Sequence, residues 1–317
     1  MIVSVTLNPS LDRTVEVDHL ERGAVLRTSA PILEPGGKGV NLTRALSRNG
    51  IDSIAVLPVG GPEGAELSTL LDTAGVTTRL VPVSGRTRSN LTIAEPDGTV
   101  TKLNEPGSSL STADFSVLSE VLSRLVTARD WVVFSGSIPP ECSGDQLIAL
   151  MTSVTDLGAS LAVDTSGEAL TAAIIARPRV IKPNRAELAE AVGRELDSIS
   201  DVIAAAEELR ALGVERVLVS LGADGAVLVG EHGAIVGESR VLGMRSTVGA
   251  GDCFFAGFLS KFSTDESDEG AAMVEALAWG AAAVSLPGTS VPGPGDIAYS
   301  NVHLVWQPDL DRPLVAT

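Results

Sequence analysis

Short runs of apolar and β-branched residues recur along the chain, and most are followed by a stretch with the three-to-four-residue spacing of an amphipathic helix. The strand candidates are Ile2–Leu7, Ile54–Val59, Trp131–Ser135, Leu161–Asp164, Arg179–Lys182 and Arg216–Leu221. Strands that alternate with helices are typical of parallel sheets, because crossover helices connect the strands and cover both faces. The pattern therefore predicts an α/β fold with a doubly wound, mainly parallel sheet flanked by helices.

Glycine and serine positions mark the ends of the predicted helices. Glycines follow apolar-periodic stretches, where helices usually end, at positions 50, 75, 158, 193 and 213. Ser111 and Ser143 precede such stretches, where N-caps usually stand. The alanine-rich segment Val274–Val284 predicts a buried helix with Trp279 in the core. A late hairpin is predicted over Ala226–Glu238.

Two stretches lack crossover helices and predict a small separate sheet. Residues 12–35 contain the extended runs Thr14–Asp18 and Leu26–Leu33, and residues 88–103 form a hairpin pattern around Pro96-Asp97-Gly98. We expect this sheet to cover the ligand cleft as a lid. The alternative is an edge hairpin without a functional role. The predicted α/β core comprises residues 1–11, 36–87 and 104–317.

Composition excludes several classes of protein. A hydrophobic fraction of 44% excludes disorder, and a net charge of −17 argues against nucleic acid and anionic membranes as partners. Cys142 and Cys253 have no Cys or His at metal-ligand spacing, so neither a metal site nor a disulfide is expected from them. The chain opens on a strand rather than a signal peptide and has no bilayer-spanning apolar run, so we expect a cytoplasmic protein.

The segment Ser246–Cys253 joins three parts of a phosphoryl-transfer site. Gly249, Ala250 and Gly251 form a turn whose backbone N–H groups are able to bind a phosphate oxygen that is gaining charge. Asp252 follows at once, at the start of the apolar stretch Cys253–Phe262. A carboxylate beside an anion site suits a base that takes a proton from an attacking hydroxyl. The alternative is a loop with an Asp cap.

The glycine-rich segment Pro35–Asn41 precedes a predicted helix over Leu42–Asn49. The glycines, Gly37 among them, allow close approach to a ligand, Lys38 offers an ammonium group to a phosphate, and Asn41 offers a donor and an acceptor to sugar hydroxyls. The spacing is not that of a Walker loop. The alternative is a hinge between lid and core.

A third cluster, Gly85–Asn90, stands at the start of the lid hairpin. Arg86 and Arg88 suggest bidentate binding of a phosphate that the substrate already has, and Asn90 adds a hydroxyl contact. Surface arginines also pair commonly with carboxylates or solvent, and that alternative stays open here.

Further candidates follow the predicted strands, at the ends where open α/β sheets bind ligands. Asp12 suits sugar hydroxyls, and Ser137 follows the strand that ends at Ser135. The others are Asp164, Lys182, Asn184, Glu187, Ser220, Gly222 and Gly225. Asn184 and Glu187 are spaced to share a helical face and to organise a hydrated magnesium ion. Asn184 and Asp164 are equally good candidates for helix caps.

Six blocks in this order give the chain a strong resemblance to the ribokinase-like sugar kinases, the pfkB family, over nearly its full length. They are Thr6–Asp12, Gly36–Asn41, Gly136–Pro139, Lys182–Glu187, Ser220–Gly222 and Thr247–Asp252. Leu7-Asn8-Pro9, Lys38 and Thr87–Asn90 resemble the phosphosugar branch of that family. The resemblance implies ATP- and Mg²⁺-dependent phosphorylation of a ketohexose monophosphate, with fructose 1-phosphate expected first and tagatose 6-phosphate or fructose 6-phosphate as alternatives.

The resemblance also implies roles for individual residues. Asp252 is the base and the amides of Gly249, Ala250 and Gly251 form the anion hole. The sugar phosphate is bound by Asp12, Gly37, Lys38, Asn41, Arg88, Asn90 and Ser137. The nucleotide is bound by Lys182, Asn184, Ser220, Gly222 and Gly225, with adenine near Ala282, Ser285 and Gly288. The metal is placed near Glu187, through water, and near Asp164.

The chain departs from the family pattern at a few positions. Cys253 stands where the family usually has Ser, and Val25 and Arg27 stand near a position where some members have Lys. The resemblance therefore does not settle which lid residue neutralises the substrate phosphate. An apolar lid face predicts a homodimer joined through the lids. The rival functions are a nucleoside or ribose kinase and a catalytically silent sensor of sugar phosphates or nucleotides.

Overall fold

Strands and helices alternate through most of the computed structural model, which describes residues 1–28, 30–241 and 243–315. The strands are β1 (Ile2–Val5), β2 (Ser10–Glu16), β3 (Ile32–Gly36), β4 (Ser53–Val59), β5 (Thr78–Pro82), β6 (Arg88–Ala94), β7 (Val100–Asn104), β8 (Trp131–Ser135), β9 (Ser160–Asp164), β10 (Val180–Ile181), β11 (Arg216–Ser220), β12 (Ala226–Gly230), β13 (Gly233–Ser239) and β14 (Val302–Val305). The α-helices are α1 (Lys38–Arg48), α2 (Gly61–Thr73), α3 (Thr112–Leu125), α4 (Gly144–Asp156), α5 (Glu168–Ile175), α6 (Arg185–Val192), α7 (Ile199–Ala211), α8 (Ala250–Phe262) and α9 (Glu269–Val284).

The main sheet has the strand order β14-β13-β12-β11-β10-β9-β8-β1-β4-β5 in the described residues. From β11 along this order to β5, neighbouring strands pair in parallel. Strands β12, β13 and β14 extend the sheet beyond β11 as antiparallel strands. The chain leaves β1 for β4 on one side and later returns to β8 on the other, so the order reverses beside β1. Open α/β sheets bind ligands at the carboxyl edge of such a reversal.

Helices cover both faces of this sheet, which confirms the doubly wound fold. One face packs against α3 to α7, with Leu118, Leu150 and Leu209 fully or nearly fully buried. The other packs against α1, α8 and α9, where Phe258 and Phe262 stack on each other. No helix in residues 1–28, 30–241 and 243–315 is long and apolar enough to cross a membrane.

The predicted helix ends are confirmed. The five glycines have φ between 70° and 111°, a backbone conformation that L side chains rarely adopt. Ser111 and Ser143 each form a capping box, with Asp114 and Gln146 as the reciprocal partners. Trp279 lies in the core and is 3% exposed.

The hairpin predicted over Ala226–Glu238 consists of β12 and β13. Both cysteines, Cys142 and Cys253, are free.

The small sheet has the order β3-β2-β6-β7 and takes strands from both predicted stretches. Its strand limits differ from the prediction. β2 begins at Ser10 because Ser10 and Leu11 already pair with β3 and β6. The predicted extended run Leu26–Leu33 is wrong for most of its length, because β3 begins only at Ile32. Residues 26–28, 30 and 31 are not in a strand, and residue 29 lies outside the described residues.

Two helices begin earlier than predicted, at the two glycine-rich segments. α1 begins at Lys38 rather than Leu42, and α8 begins at Ala250 rather than Cys253. Both first turns therefore contain candidate site residues. The sequence pattern does not predict strands β5 and β14, because β5 is only partly buried and β14 has mostly half-buried residues, so their apolar patterns are weak.

Candidate active site

The first loop after β1 and the loop after β8 meet where the strand order reverses. Asn8 joins them, since its Nδ2 donates to the Pro106 carbonyl at 3.0 Å, to the Ile138 carbonyl at 3.3 Å and to Ser137 Oγ at 3.4 Å. Asn8 is buried, whereas Ser137 is exposed at the edge. These bonds fix the position of the edge at which most of the candidate residues lie.

The anion-binding turn is built at the start of α8. Gly249 is the N-cap with φ 75°, and this left-handed conformation turns the backbone into the helix. The amides of Gly251 and Asp252 have no acceptor one turn earlier within the helix and are available to an anion. A Cβ on Gly251 would be 3.8 Å from Lys182 Nζ, so an ammonium group lies beside this turn. The geometry suits a phosphoryl group.

Asp252 lies in the first turn of α8 and is 7% exposed. Its Oδ2 accepts a hydrogen bond from Asn41 Nδ2 at 2.9 Å. Burial raises the pKa of Asp252 to about 6, and the charge of Asp164 adds to the rise, while the Asn41 bond and the ammonium groups of Lys38 and Lys182 oppose it. A carboxyl group with this pKa is ionised at neutral pH and can accept a proton.

Two lysines and two carboxylates lie together next to Asp252. Lys38 Nζ is 2.9 Å from Asp164 Oδ1 and 3.5 Å from Glu187 Oε1, and Lys182 Nζ is 3.3 Å from the same Asp164 oxygen. Burial acts to lower the pKa of Lys38, but Asp164 and Glu187 outweigh it and hold this pKa above its usual range. Lys38 therefore lies with the predicted metal and nucleotide residues.

The carboxylates of this group fit a hydrated magnesium ion. Asp164 is 1% exposed, and its Oδ2 has no hydrogen-bond partner within the described residues. No cluster of three or more His, Cys, Asp or Glu side chains suited to a metal is found in the described ranges. Magnesium does not need one, since it commonly binds through one or two carboxylates, waters and substrate phosphates.

Asn184 and Glu187 form a capping box at the start of α6. Asn184 Oδ1 accepts from the Glu187 amide at 2.8 Å, and Glu187 Oε2 accepts from the Asn184 amide at 2.8 Å. The alternative that Asn184 is a helix cap is thus confirmed. Asp164, by contrast, ends β9 and pairs with lysines. Glu187 retains Oε1, which faces Lys38.

The small sheet presents a second polar group. Asp12 on β2 lies opposite Asn90 on β6, and Asp12 Oδ1 accepts from Asn90 Nδ2 at 2.9 Å and from Ser10 Oγ at 2.7 Å. A Cβ at Gly36 on β3 would come within 2.4 Å of the Asp12 carboxyl group. Only glycine leaves room for this carboxylate. Asn90 Oδ1 is buried without a partner in the described residues.

Arg88 begins β6 at the edge of an open cavity of about 280 Å³. Its Nη1 donates to the Glu105 carbonyl at 3.1 Å, and its Nε is buried without a partner among the residues described. Arg86 lines the same cavity but is paired with Glu63 through two nitrogens. The two arginines therefore do not act as the predicted pair, because Glu63 already binds the guanidinium group of Arg86. Arg88 is the better placed of the two for a phosphate.

The predicted nucleotide residues follow β10 and β11. Asn184 forms a bridge with Ser220, and the turn after Ser220 contains Gly222 and Gly225 with φ 60° and 88°. Ala282 and Ser285 lie at the end of α9. A Cβ at Gly288 would be 3.6 Å from Glu34 of β3, so Gly288 faces the small sheet. A common role of these residues in nucleotide binding stays a prediction.

Asn8 and Arg44 also contribute to the candidate site, although the sequence does not single them out. Asn8 stands only as part of a motif in the sequence, but in the structure it joins three segments. Arg44 Nη1 donates to Asn41 Oδ1 at 3.1 Å. The spacing of Arg44 and Asn41, three residues apart on one predicted helix, was a usable signal.

Comparison with known proteins decides the family. Residues 5–294 match the pfkB family carbohydrate kinase, a range that contains every candidate residue above. The chain belongs to the pfkB family. The 1-phosphofructokinase of Haloferax volcanii is 36% identical over 309 residues, or 96% of this chain and 97% of the relative. The Escherichia coli 1-phosphofructokinase is 36% identical over 273 residues, or 84% and 86%.

Solved structures agree with this family. Phosphofructokinase-2 from Escherichia coli in complex with potassium has a TM-score of 0.89 and 34% identity, covering 93% of this chain and 96% of that one. The tetrameric inhibited form of the same enzyme has a TM-score of 0.82 and 35% identity, covering 90% and 92%. The ribokinase-like fold and the predicted family are confirmed. As a pfkB kinase, the chain is a phosphotransferase with an alcohol acceptor and uses ATP as co-substrate.

Proposed function

We propose that this pfkB kinase transfers the γ-phosphoryl group of ATP to the free 6-hydroxyl of fructose 1-phosphate and forms fructose 1,6-bisphosphate. The observation that supports this most is the position of Asp252, buried beside free helix amides and within the field of Lys38 and Lys182. Base, anion turn and ammonium groups are the parts that phosphoryl transfer requires. The similarity to 1-phosphofructokinases supports the choice of sugar.

In this proposal, the small sheet binds the sugar phosphate and the main sheet performs the reaction. Arg88 binds the existing phosphate at the cavity, while Asp12 and Asn90 bind sugar hydroxyls. The opposite end of the sugar then points its hydroxyl at Asp252, which takes the proton as the oxygen attacks. The amides of Gly249, Gly251 and Asp252 bind the migrating group, whereas the Ala250 amide of the predicted anion hole donates to the Thr247 carbonyl at 3.4 Å.

Lys38 has a different role from the one the sequence predicts. Its contacts with Asp164 and Glu187 support a position beside the polyphosphate of the nucleotide rather than at the sugar phosphate. Lys182 lies beside the anion turn and neutralises the same charge. Mg²⁺ would be held through water by Asp164 and Glu187 and would neutralise charge on the phosphates.

The substrate is tested with a coupled assay of ADP release. Fructose 1-phosphate, fructose 6-phosphate, tagatose 6-phosphate and ribose are compared by kcat/KM, with ATP saturating. We expect fructose 1-phosphate to rank first. Fructose 6-phosphate is the second candidate, because phosphofructokinase-2 has the same fold at 34% identity. A leading value for ribose, or no release with any sugar, would contradict the proposal and favour a ribose kinase or a silent sensor.

The oligomeric state and location belong to the proposal as well. Ile32, Val100 and Leu103 are more than half exposed on the small sheet, which supports a dimer joined through these sheets. The tetrameric form known for phosphofructokinase-2 makes a larger assembly the alternative. Light scattering separates monomer, dimer and tetramer. A cytoplasmic location stays a prediction.

A further inference from the structure

We propose that Arg44 is a positioning residue that fixes the side-chain amide of Asn41, so that the N–H group of this amide, and not its oxygen, faces Asp252. The inference rests on the proposed function, in which Asp252 accepts the proton. It concerns a residue that contacts Asn41 and has no hydrogen bond with Asp252.

Hydrogen-bond chemistry determines the direction of the Asn41 amide. Asn41 Nδ2 is 2.9 Å from Asp252 Oδ2, and Asn41 Oδ1 is 3.1 Å from Arg44 Nη1. A carboxylate only accepts hydrogen bonds and a guanidinium only donates them, so just one orientation of the amide satisfies both neighbours. If the amide turned over, two acceptors would meet at Asp252 and two donors at Arg44.

Without Arg44, one of these two restraints is lost. The hydrogen bond to Asp252 would then be the one side-chain bond that holds the Asn41 amide in the described residues. Asn41 is only 6% exposed, so few water molecules can replace the lost donor. An amide that moves would leave the carboxylate without its donor, in a site where other charges already act on it. These charges are those of Asp164 from β9, Lys38 from α1 and Lys182 after β10.

Arg44 is itself held in place by a second hydrogen bond. Its Nη1 also donates to the Thr289 carbonyl at 3.3 Å, and the Thr289 hydroxyl donates to Glu34 Oε1 on β3 at 2.6 Å. Arg44 is half-buried between these groups. The guanidinium therefore has a fixed position from which it holds the amide.

Arg48 provides a matched control. It lies four residues further along α1, and its Nη1 donates to the Val291 carbonyl of the same loop at 2.9 Å. Arg48 has no hydrogen bond with Asn41. A purely structural role, the attachment of the 289–292 loop to α1, would be shared by both arginines, whereas Arg44 is the one of the two that is hydrogen-bonded to Asn41.

The first experiment compares kcat at saturating substrates. We expect Arg44→Met to lower kcat about ten- to a hundredfold, the range for a displaced reacting group. We expect Arg44→Lys, whose side chain also only donates hydrogen bonds, to recover most of this loss. We expect kcat of Arg48→Met, and the KM for ATP of all these variants, to change about twofold or less. Equal losses in Arg44→Met and Arg48→Met would overturn the inference in favour of loop attachment.

The second experiment is a double-mutant cycle. If Arg44 acts through Asn41, Arg44→Met adds no loss of kcat in an Asn41→Ala background. Additive losses would overturn the inference. Arg44→Gln, which is too short to reach both of its present acceptors, replaces Arg44→Met in the cycle if that variant does not fold.

A crystal structure of Arg44→Met tests the same point without turnover. We expect the 2.9 Å contact between Asn41 and Asp252 to be lost. If the contact persists, the inference fails, whatever the enzyme phosphorylates. If the wild-type enzyme releases no ADP with any sugar phosphate, the proposed function fails, and the crystal structure still decides the role of Arg44.

Discussion

The carboxyl edge of the main sheet and the small sheet face the same site, but they hold their polar side chains differently. At the carboxyl edge of the main sheet, Asp164 of β9, Lys182 after β10 and Asp252 of α8 are 1%, 3% and 7% exposed and are bound to one another or to Asn41. On the small sheet, every residue of β6 is only half-buried, and most of β7 is exposed. In the proposed function, the reaction therefore takes place where packing fixes the geometry, and the substrate is recognised where water can be exchanged for it.

The largest effect should come from the base on the main sheet. Asp252→Asn keeps the size of the side chain but removes proton acceptance, so we expect kcat to fall about a hundred- to ten-thousandfold. The KM for ATP should change little, because the amides of the turn remain. Steady-state kinetics with both substrates varied measures this. A variant with wild-type turnover would remove Asp252 from the mechanism.

A smaller effect, of a different kind, should come from the small sheet. Arg88→Ala removes the guanidinium at the cavity, so we expect the KM for sugar phosphate to rise about ten- to a hundredfold while the KM for ATP changes little. Lys102→Ala is the control, since it removes an exposed positive charge from β7 of the same sheet. If both variants act alike, or if Arg88→Ala raises both KM values equally, Arg88 does not bind the phosphate.

The smallest effect is the pH dependence that the main-sheet site should show. The pKa of Asp252 is raised to about 6, and the base works in its ionised form. Activity should therefore be full above this value and fall about tenfold per pH unit below it. The profile of kcat between pH 5 and 8 measures this. A profile that stays flat down to pH 5 would show that another group accepts the proton.

The same contrast explains how much the sequence could predict. Buried strands such as Val132 to Phe134 form continuous apolar runs, and capping residues such as Ser111 and Ser143 act locally, so the main sheet and its helices were predictable. The limits of the small sheet were not. Its register depends on pairing between distant segments, as with Asp12 and Asn90, and its half-exposed strands have little periodicity.

The candidate site shows the same limit. Asp252 and its glycines form one continuous motif and could be recognised directly from the sequence. The partner of Lys38 could not, because Asp164 is 126 residues away along the chain and comes near Lys38 only through the order of the strands. The sequence places Lys38 at the sugar phosphate, whereas in the structure its ammonium group lies beside Asp164 and Glu187, and its role in phosphate binding stays a prediction.

Lys38, Lys182, Asp164, Glu187 and Asp252 give the reaction centre three negative groups against two positive ones. A polyanion that approaches this surplus is repelled unless it brings compensating cations of its own. Free nucleotide should accordingly bind more weakly than its metal complex, and electrostatic repulsion should separate the two forms before any transfer takes place.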